Sequence, residues 1–183
     1  GESETKGSDY WYACLNSEFF ADLGIGRFCI NDTTELHNII SKTINYENLT
    51  PNDTWVTKNL LISHKEKAPE KYQKCCEEIK TTVYNDTPFF TTAYGAHDSV
   101  GGDAATNDMI VSYINEGFGI VNYRGHGKDF GWKYDWGQDN KAFDIKYLKE
   151  LRNHKNPIVF SISCRTGDFK VLSYKNCLLH DFI

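Results

Sequence analysis

The chain has 183 residues, 40% of them hydrophobic and 14% aromatic, which is enough to bury the core of one domain without help from disulfides or metals. A net charge of −5 with no visible cluster of Lys and Arg argues against a nucleic-acid partner, and no apolar run approaches the roughly 20 residues of a membrane span. The six cysteines, at 14, 29, 75, 76, 164 and 177, form no CxxC pair and no cysteine–histidine cluster at zinc spacing, so no metal site is read and most thiols are expected to be free.

Strand-like and helix-like segments alternate, which predicts an α/β domain. Leu23 to Ile30 reads as a strand ending in the Asn31-Asp32-Thr33-Thr34 turn, where Asp32 or Thr33 can cap a helix from Thr34 to Tyr46. Leu36, Ile39, Ile40, Thr43 and Ile44 share one face of that helix and are expected in the core. Asn59 to Ser63 is an apolar run of strand length, Pro69 to Val83 a charged, exposed helix, and Phe89 to Ala93 another strand. Thr106 caps a helix with Met109, Ile110, Tyr113 and Ile114 as its apolar stripe, and Gly117 stops it. Gly119 to Tyr123 follows, then a long loop from Arg124 to Asn140 that is rich in glycine and aspartate; loops of this length are usually functional. Asp144 caps a helix through Leu151, and Pro157 precedes the most apolar strand, Ile158 to Ser163. Asn176 to Ile183 starts like a helix, so the fold is expected to continue further.

Two of these strands are expected to be buried, parallel and each followed by a reactive side chain: His126 after Gly119–Tyr123, and Cys164 after Ile158–Ser163. Open α/β sheets place ligands at the carboxyl ends of their strands, and a crossover through the Asp144 helix would make these two strands neighbours. An imidazole beside a thiol favours the thiolate and supplies a proton to a leaving amine. Gly127 lets a backbone N–H approach a substrate, and with the N–H of Cys164 it can form an oxyanion hole. On spacing alone, a cysteine after an apolar strand is more often an inert buried thiol than a nucleophile. A histidine between glycines is harder to assign a structural purpose. His37, His64, His97, His154 and His180 sit in helical or polar contexts and read as surface residues.

These residues resemble the gingipain-type cysteine peptidases, which share the caspase-like fold. The resemblance runs through Ser8-Asp9-Tyr10-Trp11-Tyr12, Ile25-Gly26-Arg27-Phe28, Thr34-Glu35-Leu36 and Ile44-Asn45-Tyr46-Glu47. It continues in Asn115-Glu116-Gly117, in Asn122 to Gly127 with Trp132 six residues after the histidine, and in Ser163 to Phe169. It covers nearly the whole chain, and the order and spacing of the fragments make it specific.

The resemblance implies an α/β caspase-like fold with a mostly parallel central sheet flanked by helices. Residues 1–183 would then be part of a peptidase catalytic domain that is incomplete at both ends, with upstream strands and a downstream part missing, the chain being a truncated or processed piece or one part of a complex that a second chain or segment completes. It places the nucleophile on Cys164 and the base on His126, with Glu66 as the nearest match for an acid that orients the histidine. Glu66 reads equally well as one charge on a solvated Lys/Glu-rich face. Gly127 and Cys164 are the expected oxyanion donors, and Trp132 and Trp136 are expected to line the substrate cleft. A protein or peptide substrate, no catalytic cofactor and an extracellular or cell-surface bacterial setting follow from the same resemblance. Structural calcium is possible in such domains, with Asp9, Glu18 and Asp22 as oxygen donors that are more often simply solvated. A sortase-like transpeptidase of the same family and a non-catalytic caspase-like binding module stay open as alternatives.

Overall fold

The computed structural model describes residues 8–16, 19–64, 71–86, 89–90, 92–97, 106–132, 143–168, 178 and 182. In chain order its helices and strands are α1 (Thr33–Glu47), β1 (Lys58–Ser63), α2 (Lys71–Asp86), β2 (Thr92–His97), α3 (Asn107–Glu116) and β3 (Ile120–Arg124). There follow β4 (Gly127–Lys128), β5 (Gly131–Trp132), β6 (Phe143–Asp144), α4 (Ile145–Leu148) and β7 (Ile158–Ile162). Four strands make one parallel sheet in the order β2-β1-β3-β7, and β4, β5 and β6 make a small antiparallel sheet beside it.

The central strands are buried because both of their faces are covered, which is why β1 reads as a continuous apolar run and not as an alternation. Leu60 and Ile62 of β1 and Val121 and Tyr123 of β3 pack with Ile110 and Ile114 of α3, Phe118, and the rings of Trp132 and Phe143. Residues Leu61 of β1 and Tyr72 and Cys76 of α2 are buried outside this cluster. Helix α3 starts where Thr106 Oγ1 accepts from the N–H of Met109, and it ends at Gly117, whose φ of 98° suits a residue without a side chain.

Several elements differ from the reading of the sequence. Residues 23–30 form no strand: Ile25 and Phe28 are exposed, two glycines interrupt the run, and no described neighbour offers a ladder. The segment is tied sideways instead, by two hydrogen bonds from the Arg27 guanidinium to the Asp9 carboxylate. Helix α1 is capped by Asp32, whose Oδ1 accepts from the N–H groups of Thr34 and Glu35, yet none of its residues is buried, and Ile40 and Ile44 are exposed. Periodicity shows which side chains share a face, whereas burial requires a neighbour over that face. The second strand lies three residues later than expected, with Phe89 in a turn. Helix α2 is not simply an exposed charged helix, because Tyr72 and Cys76, four apart, turn inward.

Asp144 caps α4 as expected, but the helix stops at Leu148. The loop after Arg124 is not structureless either, since Gly127–Lys128 pairs with Gly131–Trp132 as a hairpin. The most apolar strand, β7, is an edge of the sheet among the described residues, and only Val159 and Ser161 turn inward while Ile158, Phe160 and Ile162 stay exposed.

Candidate active site

Ser63 of β1, Arg124 of β3 and Ile162 of β7 stand in one row across the sheet. The ladder runs one step beyond it: the N–H of His64 donates to the Arg124 carbonyl at 3.0 Å, and that of Gly125 donates to the Ile162 carbonyl at 3.4 Å. His126 and Cys164 therefore each stand two residues past the same register pair, on adjacent parallel strands. Cys164 is exposed. Burial instead pushes the Cys76 thiol up to about 12, with its Sγ turned toward the Ile62 carbonyl.

The turn that carries Cys164 is built from below. The hydroxyls of Ser161, Ser163 and Thr166 bond to one another at 3.0 to 3.1 Å, and Trp132 Nε1–H donates to Ser161 Oγ at 2.9 Å. Arg165 follows the cysteine with φ 63°, a left-handed conformation that costs a residue with a Cβ about 1–2 kcal/mol. Its Nε pairs with Asp129 Oδ1 at 2.6 Å, and its carbonyl accepts from the N–H of Asp168 at 3.1 Å. Asp129 sits at the tip of the β4–β5 hairpin, so this ion pair ties the turn of Cys164 to the chain that leaves His126.

Two glycines bring the backbones this close. A Cβ on Gly125 would stand 2.5 Å from both the His64 Cβ and the Tyr123 hydroxyl, and one on Gly127 would stand 2.5 Å from the Cys164 carbonyl oxygen. The His126 carbonyl accepts from the Tyr123 hydroxyl. Its ring lies between two others, edge to face with His64 and with Tyr72, each at a centroid distance of 5.6 Å. The Tyr72 hydroxyl is 3.4 Å from His126 Nε2.

Cys164, His126 and Gly127 thus occupy one edge of the sheet. Trp132 does not line a cleft: it is fully buried, stacked on Tyr123 at 4.4 Å and on Phe143 at 4.9 Å. A large ring on a hairpin strand is drawn into the core that the hairpin covers, and its N–H supports Ser161 beneath Cys164. Glu66, Trp136 and Cys177 lie outside the described residues. Of the calcium donors considered, Glu18 lies outside as well; Asp22 Oδ2 accepts from the N–H groups of Leu15 and Asn16, and Asp9 is committed to Arg27. A carboxylate already paired with a guanidinium does not fit a cation site, and among the described residues no group of three or more His, Cys, Asp or Glu is placed to hold a metal.

Two residues at the site escaped the sequence reading. His64 is buried, not on the surface, and the signal that singled out Cys164, a reactive side chain directly after an apolar strand, applies to it equally. Tyr72 gives no such signal; only its spacing of four from Cys76 marks an inward face.

A parallel sheet with histidine and cysteine at the ends of neighbouring strands, glycine against the cysteine carbonyl, and helices packed on the sheet is a caspase-like architecture. Residues 2–182 match peptidase family C25, and the chain belongs to that family of gingipain-type cysteine peptidases. It is similar to gingipain R2 of Porphyromonas gingivalis, 25% identical over 170 residues that make up 90% of this chain and 22% of that protein. It is likewise 26% identical to Lys-gingipain HG66 of Porphyromonas gingivalis over 172 residues, 92% of this chain and 9% of the relative. The crystal structure of the Arg-specific cysteine proteinase gingipain R superposes with a TM-score of 0.80 at 27% identity, covering 96% of this chain and 39% of that one. A complex of the pro- and mature domains of RgpB from Porphyromonas gingivalis superposes at 0.78, with 26% identity and 95% and 40% coverage. The chain therefore spans well under half of the proteins it matches.

Proposed function

We propose that this chain carries the Cys–His site of a cysteine endopeptidase. The observation that carries the reading is the register of β3 and β7, which sets His126 and the exposed Cys164 at equal distances past one backbone pair, with Gly127 against the Cys164 carbonyl. The Cys164 thiolate attacks the scissile carbonyl carbon, and the oxygen takes up the charge facing the N–H groups of Gly127 and Cys164. As the C–N bond breaks, the His126 imidazolium gives its proton to the leaving amine, and a thioester remains on Cys164. Water, deprotonated by His126, attacks the thioester; the C–S bond breaks and the thiol is restored. No metal or organic cofactor enters these steps.

Glu66 belongs to this reading through its charge, because a carboxylate near the ring favours the imidazolium and with it the ion pair. The substrate is a protein or peptide, and the setting is extracellular or at a bacterial cell surface, in line with the family. Among the described residues no helix is long and apolar enough to cross a membrane.

The test is turnover of a peptide library by the complete protein that contains this segment. Cys164→Ala should abolish cleavage while shifting the unfolding midpoint little, since the thiol contributes to the chemical step far more than to packing. Residual cleavage by that variant would move the nucleophile elsewhere. Adding an amine nucleophile and weighing the products separates hydrolysis from transpeptidation.

A further inference from the structure

We propose that Tyr72 is a positioning residue for the base: its hydroxyl holds Nε2 of His126 and leaves Nδ1 to face Cys164. The inference rests on the Cys164–His126 reading above and assigns the ring nitrogens within it.

An imidazole on a glycine-flanked turn is free to rotate and to exchange tautomers unless something holds it. To take a proton from a thiol it must offer a bare nitrogen, so the other nitrogen must carry the hydrogen and needs an acceptor for it. Tyr72 supplies that acceptor at 3.4 Å from Nε2, and it is itself fixed: it is buried, it lies in the first turn of a sixteen-residue helix, and Lys71 Nζ stands 4.9 Å from its ring centroid. The ring planes of Tyr72 and His126 are at 88°, and His64 closes the other flank at 74°, so rotation of the imidazole would drive it into one ring or the other. With Tyr123 holding the His126 carbonyl, both the backbone and the ring of the base are fixed by hydroxyl groups.

A tyrosine oxygen differs from a carboxylate in one respect that can be measured. It fixes the tautomer without adding a negative charge, so it biases the thiolate–imidazolium pair by one hydrogen bond only. Among the described residues, the titratable and charged groups around His126 are His64 after β1, Lys71 and Tyr72 on α2, Tyr123 on β3 and Cys164 after β7, and Glu66 lies outside those residues.

The experiment is the rate of Cys164 alkylation by iodoacetamide, followed by peptide mass mapping from pH 5 to 10 in the wild-type protein, Tyr72→Phe and His126→Ala. Tyr72→Phe keeps the ring and removes only the oxygen. We expect alkylation of Cys164 near neutral pH to fall about three- to tenfold, the worth of one such hydrogen bond, and to approach the wild type at about pH 10, where an ordinary thiol is mostly ionised. Peptide cleavage should show the same loss in kcat with KM little changed, and its alkaline limb should move to lower pH. Unchanged alkylation and cleavage in Tyr72→Phe, with His126→Ala still slow, would overturn the inference and leave the dyad standing. If His126→Ala alkylates like the wild type, the dyad itself fails. A measurement that needs no variant is ¹⁵N NMR of the histidine rings in the wild-type protein: His126 should carry its neutral-form hydrogen on Nε2, and a hydrogen on Nδ1 would sink the assignment.

Discussion

Cys76 and Cys164 stand in opposite surroundings, one buried and the other exposed. Cys76 is fully enclosed under α2, and burial holds its thiol at about 12 against an ordinary 9.0, so it stays protonated and inert across the physiological range. Between these two values the unfolded chain has released a proton that the folded chain still binds. Stability from this group is thus fully present below about pH 9 and is lost as pH rises toward 12. The loss should be on the order of a few kcal/mol, read as a falling urea midpoint. Cys76→Ala should flatten that part of the profile, and an equally steep fall in the variant would assign it to other groups. His126 and Cys164 were legible in the sequence because Cys164 follows an apolar run directly and His126 stands between glycines just beyond another. His64 and Tyr72 were not, since their importance lies in which ring they meet, and that is fixed by the pairing of β1 with β3 and the seating of α2.

Among the elements, the β4–β5 hairpin departs most from what its composition suggests. An aromatic residue in a glycine-rich loop beside a catalytic base looks like a substrate wall, but pairing of Gly127 with Trp132 turns the indole inward, over Tyr123 and against Ser161. Trp132→Phe should therefore act on stability, costing about 1–3 kcal/mol from lost packing and one hydrogen bond. The urea midpoint should fall with its slope unchanged, and KM for a cleaved peptide should stay near the wild-type value; a raised KM at full stability would return the ring to the cleft. Helices α1 and α3 were readable from their caps, because Asp32 and Thr106 satisfy N–H groups within a few residues of themselves. The supposed strand at 23–30 was not, because alternation describes an extended chain, and a strand also needs a partner that no local pattern can supply.

For the whole molecule, the sheet order β2-β1-β3-β7 accounts for the architecture and for the chemistry together. The α/β class and the parallel sheet could be anticipated from alternating elements, whereas the position of β7 at a margin could not, since an apolar run looks the same at the centre of a sheet as at its border. That position has a consequence in solution. Ile158, Phe160 and Ile162 form an outward row, 44%, 50% and 43% exposed, along a strand whose outer backbone edge is unpaired among the described residues. A polypeptide of these 183 residues prepared by itself should behave as a sticky colloid, its hydrodynamic radius in dynamic light scattering climbing with concentration. Phe160→Lys places a charge in the middle of the row and should raise several-fold the concentration at which the climb begins, with the far-UV circular dichroism unchanged. A radius independent of concentration in the unsubstituted chain would mean that other residues already shield this border, and that the chain disperses as single particles.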